Sequence, residues 1–172
     1  MKEQITTSHF FIIFFTLAFG LVFIVTSCQQ ADRKSAASQN EELAMQYIEA
    51  YNTQDIDALQ SVLADRIQMY GEEHEPGFLL DMIRGAWGAF PDITLEPTVI
   101  AGSDDYVTVR LMVTGTGAGE FLGYDIDGEE FRVTETILFG ITDGRISEYS
   151  YNWDELGFWE QLGVVESPYP EE

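Results

Sequence analysis

Three ionisable side chains in this sequence stand where they could move a proton. Glu135 lies in the run Thr134-Glu135-Thr136-Ile137-Leu138-Phe139-Gly140-Ile141, and on a strand it shares a face with Ile137, Phe139 and Ile141. A carboxyl group among apolar walls stays neutral to higher pH than usual, which brings it into the range useful for general acid/base work. On a solvent-facing or rim position the same residue is ordinary surface. His74, inside Glu72-Glu73-His74-Glu75, has the chemistry of a partner acid or base, although loop charges are usually solvated. Asp154 precedes an apolar-periodic segment, which is the place of a helix N-cap.

Other chemistries find less to work with. Adjacent residues in an acidic loop rarely converge on one ion, so the run around His74 does not read as a metal site. Asp125-Ile126-Asp127-Gly128 opens like a calcium loop, but Glu130 occupies the place of the required Gly, and the stretch reads as a turn. With His74 the only histidine after residue 9, no Ser-His-Asp set can be assembled, and no Gly-rich phosphate loop opens a helix. No metal and no organic cofactor is expected. Aromatic side chains are dense, and Trp87, Tyr149, Tyr151 and Trp153 are the candidates for lining a binding site. Alternation sends one side of the Tyr149–Trp153 strand inward, where rings and hydroxyls suit a flat, mostly apolar ligand.

The elements that must position these groups follow from periodicity. Leu43, Tyr47, Ile48 and Tyr51 recur at helical spacing, and Ile56, Leu59, Val62 and Leu63 repeat it behind the cap Asp55. Ile67 and Met69 alternate with polar neighbours in a short strand, ended by Gly71 and an acidic loop over residues 72–77. Phe78, Met82, Ile83, Ala86 and Phe90 predict a third helix closed by Pro91. From Ile93 the period changes to two, over 93–101, 106–116, 130–141 and 145–153, with Asp/Gly/Ser turns between the runs. Leu156, Trp159 and Leu162 predict a last helix with Gly163 just past its end. Helices first and an antiparallel meander afterwards make an α+β fold, about three N-terminal helices covering one face of the sheet.

The first 27 residues have the form of a secretory signal. Only Lys2 is cationic before an apolar run of sixteen residues, Phe10 to Val25, broken by Thr16 and Gly20, and small residues follow. A retained membrane helix is the alternative, although a span needs about 20 apolar residues. Val25-Thr26-Ser27-Cys28 resembles the bacterial lipobox, which implies lipidation of Cys28, the single cysteine, and anchorage to a membrane. Gln29 after the Cys, rather than Asp, favours an outer-membrane position in a two-membrane host. Residues 29–40 have no apolar period and read as a tether, 41–165 as one domain, and 166–172 as an acidic tail. Of the 30 acidic residues two precede Glu41, leaving 28 in the domain and tail against five Arg, no Lys and one His. Such a surface repels phosphate backbones, so no nucleic-acid partner is expected, and the charge serves solubility more simply than recognition.

Four ordered segments carry a family resemblance: Tyr51-Asn52-Thr53-Gln54-Asp55, then Phe90-Pro91-Asp92, then 114–123 (Thr-Gly-Thr-Gly-Ala-Gly-Glu-Phe-Leu-Gly), then Asp143-Gly144-Arg145-Ile146-Ser147-Glu148 with Trp153-Asp154-Glu155-Leu156-Gly157 and Gln161-Leu162-Gly163. Their order and spacing resemble the SnoaL-like polyketide cyclases of the nuclear transport factor 2-like superfamily. The resemblance implies a cone of curved antiparallel sheet packed on helices around an apolar pocket. It also implies cofactor-free acid/base chemistry on a small hydrophobic molecule, and homodimerisation across the sheet. Many family members read Thr-Gly-Thr-His where this chain has Gly117, and an Asp where it has Ile137. Glu135 is then the base that remains, with His74 and, from its Trp-Asp context, Asp154 as further participants. A non-catalytic binding or interaction module of the same fold is the rival reading, because the superfamily hosts both.

Overall fold

The computed structural model describes residues 36–166. The segment expected to be a signal, Cys28, the first part of the expected tether and residues 167–172 of the expected tail lie outside the described residues. Helix α1 runs from the first described residue to residue 52, followed by α2 (Ile56–Val62), β1 (Leu63–Met69), β2 (Glu72–His74) and α3 (Pro76–Ala89). Then come β3 (Thr94–Gly102), β4 (Tyr106–Thr116), β5 (Glu120–Phe121), β6 (Tyr124–Asp125), β7 (Glu130–Thr142), β8 (Arg145–Trp153) and α4 (Glu155–Gln161).

Six strands form one sheet in the order β2-β1-β8-β7-β4-β3, antiparallel except for the β1–β8 pair, while β5 and β6 make a separate hairpin. Register shifts interrupt the ladders between Pro97 and Val99, between Gly140 and Ile141, and between Leu63 and Gln68, and such irregularities bend strands. At the second of them a Cβ on Gly140 would stand 2.7 Å from the Glu148 Cβ, so the bend needs glycine. Period two is written into burial: Val107, Val109, Leu111 and Val113 on β4, and Phe131, Val133, Ile137 and Phe139 on β7, are all buried. These faces pack on Tyr47, Ile48 and Tyr51 of α1 and on Leu79, Leu80 and Ile83 of α3 in one core. The mixed α+β architecture expected from the sequence is the one observed.

Polar residues of the segments that carry the resemblance serve as staples between these elements. The Asn52 amide donates to the Leu95 carbonyl (2.9 Å) and accepts from the Leu95 N–H (2.8 Å), fixing the end of α1 to β3. Gln54 donates to the Pro91 carbonyl at 2.9 Å. The Asp92 carboxylate accepts from the N–H and the hydroxyl of Thr116 at 2.7 and 2.8 Å, and these bonds hold its pKa below the usual carboxylate range. Asp55 caps α2 by accepting from the Ala58 N–H at 2.9 Å.

Three sequence expectations need correction. Residues 36–40, expected in the tether, are helical, and Asn40 is buried with its amide donating to the carbonyls of Ser103 and Asp104. Apolar periodicity missed this turn of helix because it is held by polar contacts, including the Glu41 carboxylate on the Gly102 N–H. Leu63 opens β1 rather than closing a helix. The acidic loop at 72–77 is instead strand β2 and the start of α3, with Pro76 in its first turn. Arg66 on β1 reconciles the acidic residues with a strand by donating to the carboxylates of both Glu73 and Glu75.

Candidate active site

The inner face of β7 and β8, the cavity-facing side of α3 and the end of α1 enclose a cavity of about 160 Å³. Leu79, Met82, Ile83 and Ala86 come from α3, Phe131, Val133, Glu135 and Ile137 from β7, Tyr149, Tyr151 and Trp153 from β8, and Tyr51 from α1. Antiparallel registry places Glu135 between Leu111 on β4 and Trp153 on β8, so its side chain leaves the sheet on the same face as both. Phe158 closes one end, its ring 4.7 Å from Trp153, 4.8 Å from Phe131 and 5.7 Å from Phe90. Met82 lines the cavity while keeping more than a third of its surface exposed, and therefore marks its mouth.

Among the described residues, the Glu135 carboxylate has no hydrogen-bond donor and no cation as partner. Burial raises its pKa from 4.5 to about 7, because the ionised form would lose hydration with nothing to replace it. Tyr51 and Tyr149, on the same walls, are pushed well above the usual tyrosine range, first by burial and further by the charge of Glu135. Tyr151 is shifted the same way, by burial first and then by its bond to the Tyr70 hydroxyl. These phenols remain protonated donors throughout the physiological range. Behind them lies the buried Tyr47, its ring 5.9 Å from that of Tyr149 and its phenol pushed above the usual tyrosine range, first by burial.

The structure brings together some of the residues singled out in the sequence. Glu135, Tyr149, Tyr151 and Trp153 share the cavity wall. Trp87 does not join them: it packs against Tyr51 with ring centroids 5.6 Å apart, and its indole N–H is buried without a partner among the described residues. His74 lies off the wall too, at the end of β2 opposite Ile67, with its ring stacked on Phe78 at 4.3 Å. Edge-strand placement, invisible while residues 72–77 read as a loop, directs it there. Asp154 is exposed and accepts from the Gly157 N–H at 3.1 Å, so it is the cap of α4 and not a wall residue. Tyr51 was legible only as a helix core position, and its spacing of four from Tyr47 gave no sign that one ring would end on the cavity.

Gly117 explains the missing histidine. Its N–H donates to the Glu129 carbonyl and its own carbonyl accepts from the Gly128 N–H, which folds residues 117–129 back on themselves. A Cβ at Gly117 would lie 2.0 Å from the Ile126 carbonyl oxygen, so no side chain fits there. Ile137, at the other departure, is buried on the cavity wall. Glu135 therefore presents its acid two residues along the same face, about 7 Å away at the rise of a strand.

A sequence profile for SnoaL-like polyketide cyclases matches residues 41–162, which is most of the chain and the whole of the sheet just described. The chain belongs to the SnoaL-like polyketide cyclase family. Solved structures agree with the fold of this SnoaL-like domain. AclR from Streptomyces galilaeus, a candidate hydroxylase, is 22% identical over 76% of this chain and 89% of its own, with a TM-score of 0.69. TsrD from Streptomyces laurentii is 24% identical over 74% and 97%, with a TM-score of 0.68. IdmH from Streptomyces antibioticus, a candidate polyketide cyclase, is 26% identical over 73% and 99%, with a TM-score of 0.65. No curated protein matches the sequence.

Proposed function

We propose that this SnoaL-like domain binds a small carbonyl compound of about one ring and moves a proton at the carbon beside the carbonyl, with Glu135 as the base. The observation that carries this reading is a carboxyl group without ion pair or hydrogen bond among the described residues, with a pKa of about 7, on the wall of an apolar cavity. In the ionised form it removes the α-proton, the C–H electron pair becomes the new C=C bond, and the carbonyl π pair moves onto oxygen to give an enolate. Protonated phenols on the same wall, Tyr149, Tyr151 and Tyr51, are the donors available to that oxygen. The enolate then recovers the proton from the Glu135 carboxyl at the same or another carbon, or attacks a second carbonyl within the molecule, whose alkoxide takes that proton and restores the base, so no cofactor is required. Family membership supports the reaction class, and the description of IdmH points the same way.

Volume narrows the substrate. A dry cavity of about 150 Å³ holds benzene, and the 160 Å³ here holds one substituted ring but not a fused multi-ring skeleton. The test is proton NMR of cyclohexanone in D₂O with and without the protein. Exchange of its α-protons is expected to run well above the buffer rate; exchange no faster than in buffer, for cyclohexanone and for open-chain ketones of similar size, would refute the chemistry.

Secretion and attachment to a membrane through a lipid on Cys28 complete the proposal. They rest on the apolar run before Val25-Thr26-Ser27-Cys28. Mass spectrometry of the N-terminal peptide from the host-expressed protein is expected to begin at a lipid-modified Cys28. An N-terminus that retains residues 1–27 with a free thiol would reject it.

A further inference from the structure

A second recess, of about 270 Å³, adjoins the cavity at the gap between β1 and β8. Gln68, Tyr70, Glu148 and Ser150 line it, and it shares Tyr149 and Tyr151 with the cavity itself. Backbone does not separate the two spaces: β1 and β8 pair only at Leu63 with Ile146 and at Gln68 with Glu148. Side chains must therefore form the partition. Tyr70 and Tyr151 do so, their hydroxyls 2.7 Å apart and their rings in edge contact at 6.1 Å.

Tyr70 is an odd occupant of its position. With Gly71 it makes the two-residue turn between β1 and β2, where Met69 pairs with Glu72, and both residues have positive φ, 54° and 81°. That turn favours Asn, Asp or Gly at its first place, and a bulky aromatic there is strained. The comparable turn at Asp143-Gly144, away from the cavity, has the expected Asp. Nor does burial compensate Tyr70, which is 66% exposed. What holds it is the hydroxyl contact with the cavity wall, and strain kept at such a place is a sign of use.

We propose that Tyr70 is a specificity-determining residue: its bond to Tyr151 closes the cavity against the recess and restricts the ligand to one ring, and opening it admits a second ring. This deepens the reading of the cavity as a ligand site and rests on it, but it does not depend on Glu135 acting as a base. Tyr151 alone, without its partner across the gap, leaves the two spaces continuous.

Calorimetric titration of the full chain with 4-nitrophenol and with 4-phenylphenol tests the inference. The wild type is expected to prefer the single-ring phenol by about tenfold or more, the scale on which pockets discriminate by size. Tyr70→Asn, which suits the turn, should keep or raise Tm while strengthening 4-phenylphenol binding about tenfold and leaving 4-nitrophenol within about twofold. Tyr151→Phe should also admit 4-phenylphenol, and adding Tyr70→Asn to it should change little, since both remove one contact. Unchanged 4-phenylphenol binding in Tyr70→Asn, whether weak or absent, overturns the inference. Should the wild type bind neither phenol while Tyr70→Asn binds 4-phenylphenol, the partition stands and the single-ring reading of the site falls.

Discussion

Glu135→Gln is expected to slow α-proton exchange by about 10²- to 10⁴-fold, the usual contribution of a positioned general base, and at the same time to stabilise the protein above pH 7. The two effects share one cause. Folding raises the Glu135 pKa from 4.5 to about 7, so the folded chain binds this proton more tightly than the unfolded chain does. Its contribution is fully favourable below pH 4.5 and is lost as pH rises through about 7. Above that, an uncompensated carboxylate sits in the cavity at a cost of about 3 kcal/mol at most, reduced by the solvent contact the half-buried side chain retains. Glutamine matches the shape and carries no charge. Thermal unfolding of the two proteins should therefore coincide near pH 4.5 and diverge by up to roughly 10 °C in favour of the variant near pH 8. Exchange by the wild type should rise over the same window, because only the ionised base accepts a proton. A variant that is equally active, or that gains no stability over the wild type between pH 5 and pH 8, would contradict the account.

Gly117→Ala is expected to destabilise the domain by about 3 kcal/mol or more, the upper range for overpacking, although it adds one methyl group. That methyl would lie 2.0 Å from the Ile126 carbonyl oxygen, which is backbone and cannot rotate away. Relief requires opening residues 117–129, held by the Gly117–Glu129, Gly128–Gly117 and Ile126–Gly119 hydrogen bonds. The same segment carries β5, whose Phe121 lines the cavity and stacks on Trp159 at 6.0 Å, so cavity shape should suffer with stability. Gly117→His, which restores the residue the family resemblance implies, should fare no better and should not increase activity. Urea unfolding measures the first effect; a loss within about 0.5 kcal/mol, the ordinary surface value, would mean that the loop is not closed on Gly117 as described.

The regular parts of this fold were legible because local pattern and tertiary environment agree. The two-residue period of β4, β7 and β8 gives their inner faces directly, and it placed Glu135 with Ile137 on what proved to be the cavity wall. Elements held by polar rather than apolar contacts were not legible. β2 is three residues long and mostly acidic, and only Arg66 across the hairpin accounts for its charges. Polar bonds to the turn at Ser103 and Asp104 hold the first helical residues, so no apolar stripe announced them. The site residues divide in the same way. Trp87 was grouped with the pocket by residue type and His74 by a loop expected near the rim, and their elements set them against Tyr51 and Phe78. Motif residues that identify the family, Asn52, Gln54, Asp92 and Asp154 among them, turn out to join elements or cap helices. They report the scaffold, whereas the proposed chemistry rests on Glu135, a residue outside those segments.

The state of that carboxyl group is the most direct measure of the account. Carbon-13 NMR of the protein labelled at glutamate side-chain carboxyls, with Glu135→Gln supplying the assignment, follows its titration separately from the exposed acids. A midpoint near pH 7 is predicted, shifted when cyclohexanone fills the cavity. A midpoint near 4.5, indifferent to the ketone, would show a solvated side chain and contradict Glu135 as the base.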